Sequence, residues 1–458
     1  MSDSLAPSSP LVSWPPAFSA PEPGGERSAG QAPGEGAAAF LDVAVSLGAR
    51  VCRDALWAGE RCNWIGPATE SLGGRWRQVH RAYGPDLYGG TAGIALFLAR
   101  LHAVAGERVF RRTALGAIRH ALDRAEDIAA PARIGAYSGW PGLGHAALSI
   151  ARLLDEDSLR GPALALLDAA AALPPDPHQL DVLAGCAGAI APLLLAHEEL
   201  GAPASLVEAA IGFGDHLIAT AVRSAAGWSW GEHGGGDSGL PWIANLTGFS
   251  HGAGGIGWSL VELYRATGEA RFREAGEGAF SYERHWFDEA RGNWPDLREP
   301  EASGVPAADG PAFMTAWCHG APGIGLSRLR VHEILGGDSY RREAEAAIRT
   351  TLASLEGGAE MSQNNYSLCH GMGGNCDLLL YGSAALGDPA WRERAEQIGR
   401  RGIAVHEEQQ LPWPCGTFAN VEVPGLMMGL SGIGYFFLRL AAPGAVPSVL
   451  IFRPSAAG

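Results

Sequence analysis

Two tripeptides in this chain could do chemistry. Cys318-His319-Gly320 lies in TAWCHGAPGIG (315–325), and Cys369-His370-Gly371 lies in SLCHGMGG (367–374). They stand 51 residues apart, each at the mouth of an apolar run. The N–H groups at a helix N-terminus carry partial positive charge and favour a cysteine as its thiolate. Thiolates are ligands that zinc prefers. Cys318, Cys369 and His370 therefore form a candidate Cys2His set for one Zn²⁺ per chain, with the fourth tetrahedral position open. An open position marks a catalytic zinc, whereas four protein ligands would have pointed to a structural one. A lone Cys or His beside glycine is more often a small buried residue. The repetition of the tripeptide is what favours the metal.

An open zinc of this kind could activate water, or it could hold an incoming thiol as thiolate. Two protein thiolates neutralise Zn²⁺, and a third leaves the site anionic and nucleophilic. That ligand set suits thiol alkylation. The thiolate then needs an electrophile, and the enolate or carbanion it creates needs a proton. His251, in SHGAGG, stands directly before a glycine turn as His370 does, and it is the candidate general acid. Asp181, in LDVLAGCAG, could orient a protonated group or balance charge. It could equally cap a helix.

The elements that must position these residues repeat. A Gly-x-x-Gly followed by an apolar run occurs seven times, with first glycines Gly90, Gly139, Gly185, Gly252, Gly320, Gly371 and Gly429, spaced 46 to 68 residues apart. Self-similarity at that period means a repeat architecture. The runs after the glycines, such as GIALFLARL and GIGYFFLRL, are apolar nearly all round, as a buried helix should be. Between them lie amphipathic stretches such as 108–126 and 271–287. Each repeat is thus one inner and one outer helix. An open stack of such pairs needs polar caps, yet the last copy is as apolar as the rest. Closing the ring removes both ends. The expectation is an all-α protein: an α/α toroid of seven inner and seven outer helices, with seven glycine loops on one face. Copies five and six are neighbours in that ring, so their cysteines can meet.

The 458 residues are 47% hydrophobic and only 18% charged, with 64 glycines and a net charge of −15. That balance argues against nucleic acid or an anionic membrane as partner. No apolar run is long enough to span a bilayer, and no secretory signal opens the chain; the expected location is the cytoplasm. Seven cysteines in a reducing compartment favour thiol or metal chemistry over disulfides. Cys52, Cys62, Cys186, Cys376 and Cys415 read as structural. Residues 1–37, rich in Pro, Ser, Gly and Ala, read as a disordered arm, and 38–458 as one domain.

Together these residues resemble the lanthionine synthetase cyclase (LanC) family. The resemblance runs from about residue 38 onward. It rests on the seven glycine copies, His251-Gly252, WCHGAPGIG and the second Cys-His-Gly. NWIG (63–66) and DLYGG (86–90) look most like the cyclase half of the class II synthetases (LanM). The resemblance implies an α/α toroid around a zinc held by Cys318, Cys369 and His370. It implies that a cysteine thiol of a ribosomal precursor peptide adds to dehydroalanine or dehydrobutyrine, giving a lanthionine or methyllanthionine ring. His251 then carries over as the catalytic histidine, and Asp181 as the aspartate of the family's third glycine copy. His319 falls where stand-alone cyclases carry tyrosine and class II domains histidine, so it joins the catalytic set. Met314 stands where class I cyclases carry an arginine, and neither Arg298 nor Arg328 can be assigned to that role from sequence. A class II likeness also implies a dehydratase domain upstream, where this sequence shows only a short arm. The expectation is a free-standing cyclase or half of a split synthetase, with another protein dehydrating the serines and threonines.

Three other readings compete. One is a LanC-like enzyme that adds glutathione to dehydrated residues. Another is a non-catalytic, zinc-stapled toroid that binds peptides. The third is an α/α-barrel glycosidase, which needs two carboxylates at the mouth; Asp181, Glu232 and Asp237 are its candidates, and it leaves both Cys-His-Gly copies unexplained. Tryptophan loops at 227–237, 292–299 and 411–416 could wall a peptide groove or merely pack the rim.

Overall fold

Seven helices begin one residue after the seven expected glycines. They are α2 (Thr91–Ala105), α4 (Trp140–Leu154), α6 (Cys186–Leu200), α8 (Ala253–Thr267), α10 (Ala321–Leu335), α12 (Met372–Leu386) and α14 (Leu430–Ala441). Seven more alternate with them: α1 (Glu35–Arg53), α3 (Arg108–Asp123), α5 (Arg160–Ala171), α7 (Ser205–Thr220), α9 (Ala270–Trp286), α11 (Asp338–Gly357) and α13 (Pro389–Gly402). The computed structural model describes residues 35–72, 75–231, 245–298, 310–357, 365–417 and 421–454. The arm read at 1–37 lies outside the described residues up to position 34, and α1 starts just before its expected end.

The even-numbered helices form the inner wall. Each packs on the next, from α2 through α14, and α14 packs back on α2, so the ring is closed. The first nine residues of α2 and Leu101 are buried, whereas α3 buries Phe110, Ala114, Leu115 and Ile118 and turns its charges outward. Each inner helix pairs with the outer helix that follows it. The exception is α14, whose partner is α1 from the other end of the chain. The rings of Phe40 and Phe437 meet there at 6.2 Å. This is the α/α toroid expected from the repeats.

The glycines act through close approach. In all seven copies a Cβ on the second glycine would run into the carbonyl oxygen of the residue six positions earlier: Leu87, Ala136, Val182, Phe249, Trp317, Leu368 and Leu426. Most of the first glycines are in extended backbone that any residue can adopt. Gly320, at φ +89°, is the one first glycine that needs the left-handed region.

That close approach lets the loops bond to one another. The N–H of Tyr88 donates to Tyr137 O (2.9 Å), Tyr137 to Leu183 O (3.1 Å), Leu183 to Ser250 O (3.2 Å) and Ser250 to Cys318 O (3.3 Å). Trp317 N–H then donates to Cys369 O (3.1 Å), Cys369 to Met427 O (3.0 Å), and Met427 back to Tyr88 O (2.8 Å). Every accepting residue stands two positions before its first glycine.

The chain's end fills the middle of the ring. Val446, Leu450 and Ile451 are buried. Tyr137 Oη donates to Val449 O and Trp317 Nε1 to Leu450 O, both at 2.8 Å. Ser448 bonds to Asp377, which also pairs with Arg439.

One expectation was too broad. The helical pattern read from residue 38 onward does not cross 56–82, where two hairpins form: Leu56–Ala58 with Arg61–Asn63, and Ile65–Leu72 with Arg75–Ala82. A third pairs Val222–Ser224 with Gly227–Ser229. All three sit in connections between ring helices, where no repeat imposes the helical period.

Two glycines should respond oppositely to alanine. Gly142→Ala forces a methyl onto the Ala136 carbonyl and should cost about 2–3 kcal/mol. Gly212→Ala, within α7 and facing open space, should add about 0.5–1 kcal/mol. Denaturant unfolding of both variants checks the pair.

Candidate functional site

The ring brings the two cysteines of copies five and six into contact. Their backbones are locked by the loop bonds: Cys318 O accepts from Ser250 and Cys369 O from Trp317. The thiols lie close enough for each to act on the other's ionisation, and neither is in a disulfide. Cys369 holds the Cys318 thiol below its ordinary value; burial opposes this, while the Arg298 and His251 charges add to it. Cys369, beside Cys318 and buried, is pushed well above the ordinary value. The phenol of Tyr88, from copy one, also reaches Cys369. Sequence reasoning did not single out that tyrosine, although DLYGG places it two residues before Gly90.

The third expected ligand is not brought to this point. The His370 ring bonds to the backbone of Gly416. Among the described residues no three His, Cys, Asp or Glu side chains converge as metal ligands do. The donor types fit zinc at the two thiols, while His370 faces a neighbouring loop.

His251 and Asp181 do meet. Nδ1 of His251 lies 2.6 Å from Oδ2 of Asp181. A carboxylate only accepts, so Nδ1 carries the hydrogen and Nε2 is left as the exchangeable nitrogen. Burial works against an imidazolium here, but the bond and the charge of Asp181 outweigh it and His251 stands above its ordinary value. Asp181 is also the cap considered from sequence: its Oδ1 accepts from Ala184 N (2.7 Å) and Gly185 N (3.1 Å). Asp86, at the same repeat position, makes the equivalent bonds to Gly89 N and Gly90 N through Oδ1. One oxygen of Asp181 thus serves the turn, and the other serves histidine.

His319 packs behind His251, with ring centroids 5.8 Å apart and planes 29° from parallel. It is 2% exposed. Burial drives its pKa down to about 3, so it is neutral. Among the described residues its Nδ1 has no hydrogen-bond partner, and it stands 3.9 Å from Asp296.

Arg298 and Asp296, both in GNWPDLRE, join this group. The Arg298 guanidinium grips the Asp296 carboxylate through Nε (2.9 Å) and Nη2 (2.6 Å), and its Nη2 lies 3.4 Å from Met314 Sδ. A cation therefore stands beside Met314, carried by a different segment. Sequence could not choose between Arg298 and Arg328, but the structure separates them. Arg328 is fully buried between Glu283 (2.9 Å) and Glu343 (2.6 Å), and Glu283 in turn accepts from Gly248 N and Gly254 N. That network is part of the wall.

A cleft of about 840 Å³ opens over the pair. Asp181, His251, Arg298, Trp230, Asn245 and Leu246 line it. Of the tryptophans in the three loops, among the described residues only Trp230 lines this cleft; Trp294 and Trp413 are buried in the body, and the 292–299 loop contributes Leu297 and Arg298 instead. Glu232, His233 and Asp237 lie outside the described residues. Cys62, Cys186, Cys376 and Cys415 are buried, and Cys52 is half-buried against Val109, all away from the pair.

Comparison with known proteins agrees with this picture. The family described as lanthionine synthetase C-like protein matches residues 81–451. A curated relative, the lacticin 481/lactococcin biosynthesis protein LcnDR2 of Lactococcus lactis subsp. lactis, is 22% identical over 202 residues. The match covers 43% of this chain and 20% of that protein, so this chain spans about a fifth of its relative's length. Among solved structures, nisin cyclase is similar with a TM-score of 0.55 and 19% identity, over 79% of this chain and 89% of that one. At that identity the likeness is one of fold, the α/α toroid.

Asparagine at position 181 keeps the acceptor for the turn and removes the charge. Asp181→Asn should therefore lower the pKa of His251, because the carboxylate is what raises it. Histidine-ring NMR across a pH series measures this. An unchanged pKa would mean that the charge of Asp181 does not act on His251.

Proposed function

The chain belongs to the lanthionine synthetase C-like family, and from that premise we propose that it is a zinc-dependent lanthipeptide cyclase. Its substrate would be a ribosomal precursor peptide already dehydrated by another protein. The observation that carries the reading is the meeting, at one ring mouth, of the Cys318–Cys369 thiol pair and the Asp181-held His251.

Cys318 and Cys369 would hold the zinc, with His370 as the third ligand once its ring turns from Gly416 toward the two thiols. Bound there, the metal would supply a stabilised thiolate from the substrate cysteine. The sulfur adds to Cβ of the dehydroamino acid, forming the C–S bond. The alkene pair moves toward the carbonyl and leaves an enolate. His251, whose imidazolium form Asp181 favours, would deliver the proton from Nε2 to Cα. The proton lost by the thiol returns to His251, so the addition is balanced without any other reactant. Arg298 lines the same cleft and would pair with the enolate oxygen as its charge develops. Neutral His319 backs the His251 ring and keeps a second cation away from it.

Among the described residues the glycosidase reading finds no free acid at this cleft; its other candidates, Glu232 and Asp237, lie outside them. Among the described residues Asp181 is committed to His251 and Asp296 to Arg298. The remaining alternatives separate by assay. A glutathione-adding enzyme would need added thiol, and a binding scaffold would not need His251.

The test uses a peptide with one dehydroalanine and one cysteine, scored by loss of alkylatable thiol, together with metal analysis. Wild type should carry one zinc and cyclise without added thiol. Cys369→Ala should lose the metal and the activity. His251→Ala should keep the metal and slow cyclisation by about 10²-fold or more. Arg298→Gln should keep the metal and slow it by about 10²-fold. Unimpaired cyclisation in a metal-free Cys318→Ala/Cys369→Ala protein would overturn the mechanism.

A further inference from the structure

A second cavity lies on the outside of the ring, away from the mouth. It occupies about 510 Å³ between the 56–63 hairpin and α3, and Arg108, Arg111, Arg112, Arg119, Leu115 and Trp57 line it. The four arginines fall on one stripe of α3, so the groove runs along the helix for about 16 Å, at 1.5 Å per residue. In a chain of net charge −15 this is a basic island.

The arginines are incompletely neutralised. Arg111 and Arg119 reach Glu156 at 3.2 and 3.6 Å, and Arg119 reaches Glu60 at 3.4 Å. Arg112 lies over the Trp57 ring at 4.5 Å. Among the described residues neither Arg108 nor Arg112 has a carboxylate partner. On other outer helices pairing is mixed. Arg271 and Arg284 of α9, Arg341 of α11 and Arg392 of α13 each meet an acid, while among the described residues Arg342 and Arg349 of α11 and Arg401 of α13 do not; only α3 gathers such arginines around a groove.

Exposed apolar side chains gather at the same place. Of the six large ones exposed among the described residues, four stand on the elements that build the groove or on the adjoining strand: Leu56 (55%), Trp57 (36%), Ile65 (61%) and Val109 (45%). Exposed apolar surface beside unpaired arginine and tryptophan has the composition of a binding hot spot.

We propose that this groove binds an acidic, amphipathic stretch of the peptide substrate, remote from the residues that react. Carboxylates would pair with Arg108 and Arg112, and apolar side chains would cover Trp57 and Leu56. Eight residues line the groove, against the roughly 20–30 per side of a protein–protein interface, so a peptide segment fits and a domain does not. The direction also fits. Inner helices start at the mouth, so α3 runs back toward it, and a chain laid from Arg108 to Arg119 heads for the ring face that carries the cleft. Tethering there raises the effective concentration of the reacting segment at the cleft. Assigning the occupant to the substrate rests on the cyclase reading; the acidic, amphipathic chemistry does not.

The test is fluorescence anisotropy with the full chain and a labelled peptide rich in Glu and Leu, beside a control with Gln for every Glu. Wild type should bind the acidic peptide at least about tenfold more tightly than the control, and salt should weaken it. Arg108→Gln/Arg112→Gln should lose about tenfold in affinity. The same variant should cyclise a short dehydrated peptide without the acidic stretch at the wild-type rate, which also shows that it is folded. Fusing the acidic stretch to that substrate should lower KM in wild type and not in the variant. Equal binding of the two peptides, or wild-type affinity in the variant, would overturn the proposal. An unchanged KM on fusion would overturn its assignment to the substrate and give the groove to another protein. Cys369→Ala should bind the acidic peptide as wild type does, so a failure of the zinc reading would appear in cyclisation and leave this binding intact.

Discussion

Seven backbone hydrogen bonds, one from each glycine loop to the next, set the terms for the rest of this molecule. A buried carbonyl or N–H left unpaired costs about 1–3 kcal/mol, so the loops must come within bonding distance of one another. They can do so only if the first turn of each inner helix has no side chain in the way. That requirement is met by the second glycine of each Gly-x-x-Gly, whose Cα lies against the carbonyl six residues earlier. The same circle fixes the residue two places before each first glycine, since its carbonyl is a link. Its side chain remains free to vary. Tyr88, Tyr137, Leu183, Ser250, Cys318, Cys369 and Met427 occupy these equivalent places, and two adjacent ones hold thiols. A symmetric scaffold thus presents an asymmetric site by exchanging side chains at fixed points.

Charge is then arranged around the thiols in layers of differing solvation. Arg298 is held by Asp296 yet still lines the cleft, so its cation is directed and accessible. Arg328 has equally strong partners but lies fully within the wall, where one broken pair would strand a buried charge. His319 shows the opposite device. Burial keeps it neutral beside His251, so the imidazolium favoured by Asp181 has no like charge stacked on it. Position relative to the cleft, more than residue type, separates working charges from structural ones.

The repeats, the closed ring and the starting residue of all seven inner helices were legible in the sequence, because glycine at a close approach leaves a fixed spacing that tertiary context cannot shift. The meeting of Cys318 with Cys369 followed from the same register, whereas the pairing of His251 with Asp181 needed coordinates. What else was not legible lay mostly between repeats. The hairpins at 56–82 carry no copy of the motif, and their strands depend on local pairing. Asp296 and Arg298 sit in a connection whose path no periodicity constrains, so their approach to Met314 needed coordinates. Asp181 had two readings, cap and orienter, and a carboxylate has two oxygens; both readings are correct. His370 stands beside Cys369 in sequence, but a side-chain rotation that no spacing encodes turns its ring toward Gly416.

The pairing of α1 with α14 has a consequence for how the molecule comes into being. The outer partner of the last inner helix precedes the other ring helices in the chain and must wait for almost all of them. Until α14 emerges, α1 has α2 and α3 to pack on but the face that meets α14 is uncovered, and the circle of loops is open where α14 belongs. Vectorial synthesis therefore yields an arc with two sticky ends, and closure is one late, long-range event with a large entropic cost. In the finished ring, by contrast, no position is first or last. The order in which the helices are written along the chain is a matter of history that the folded state does not record.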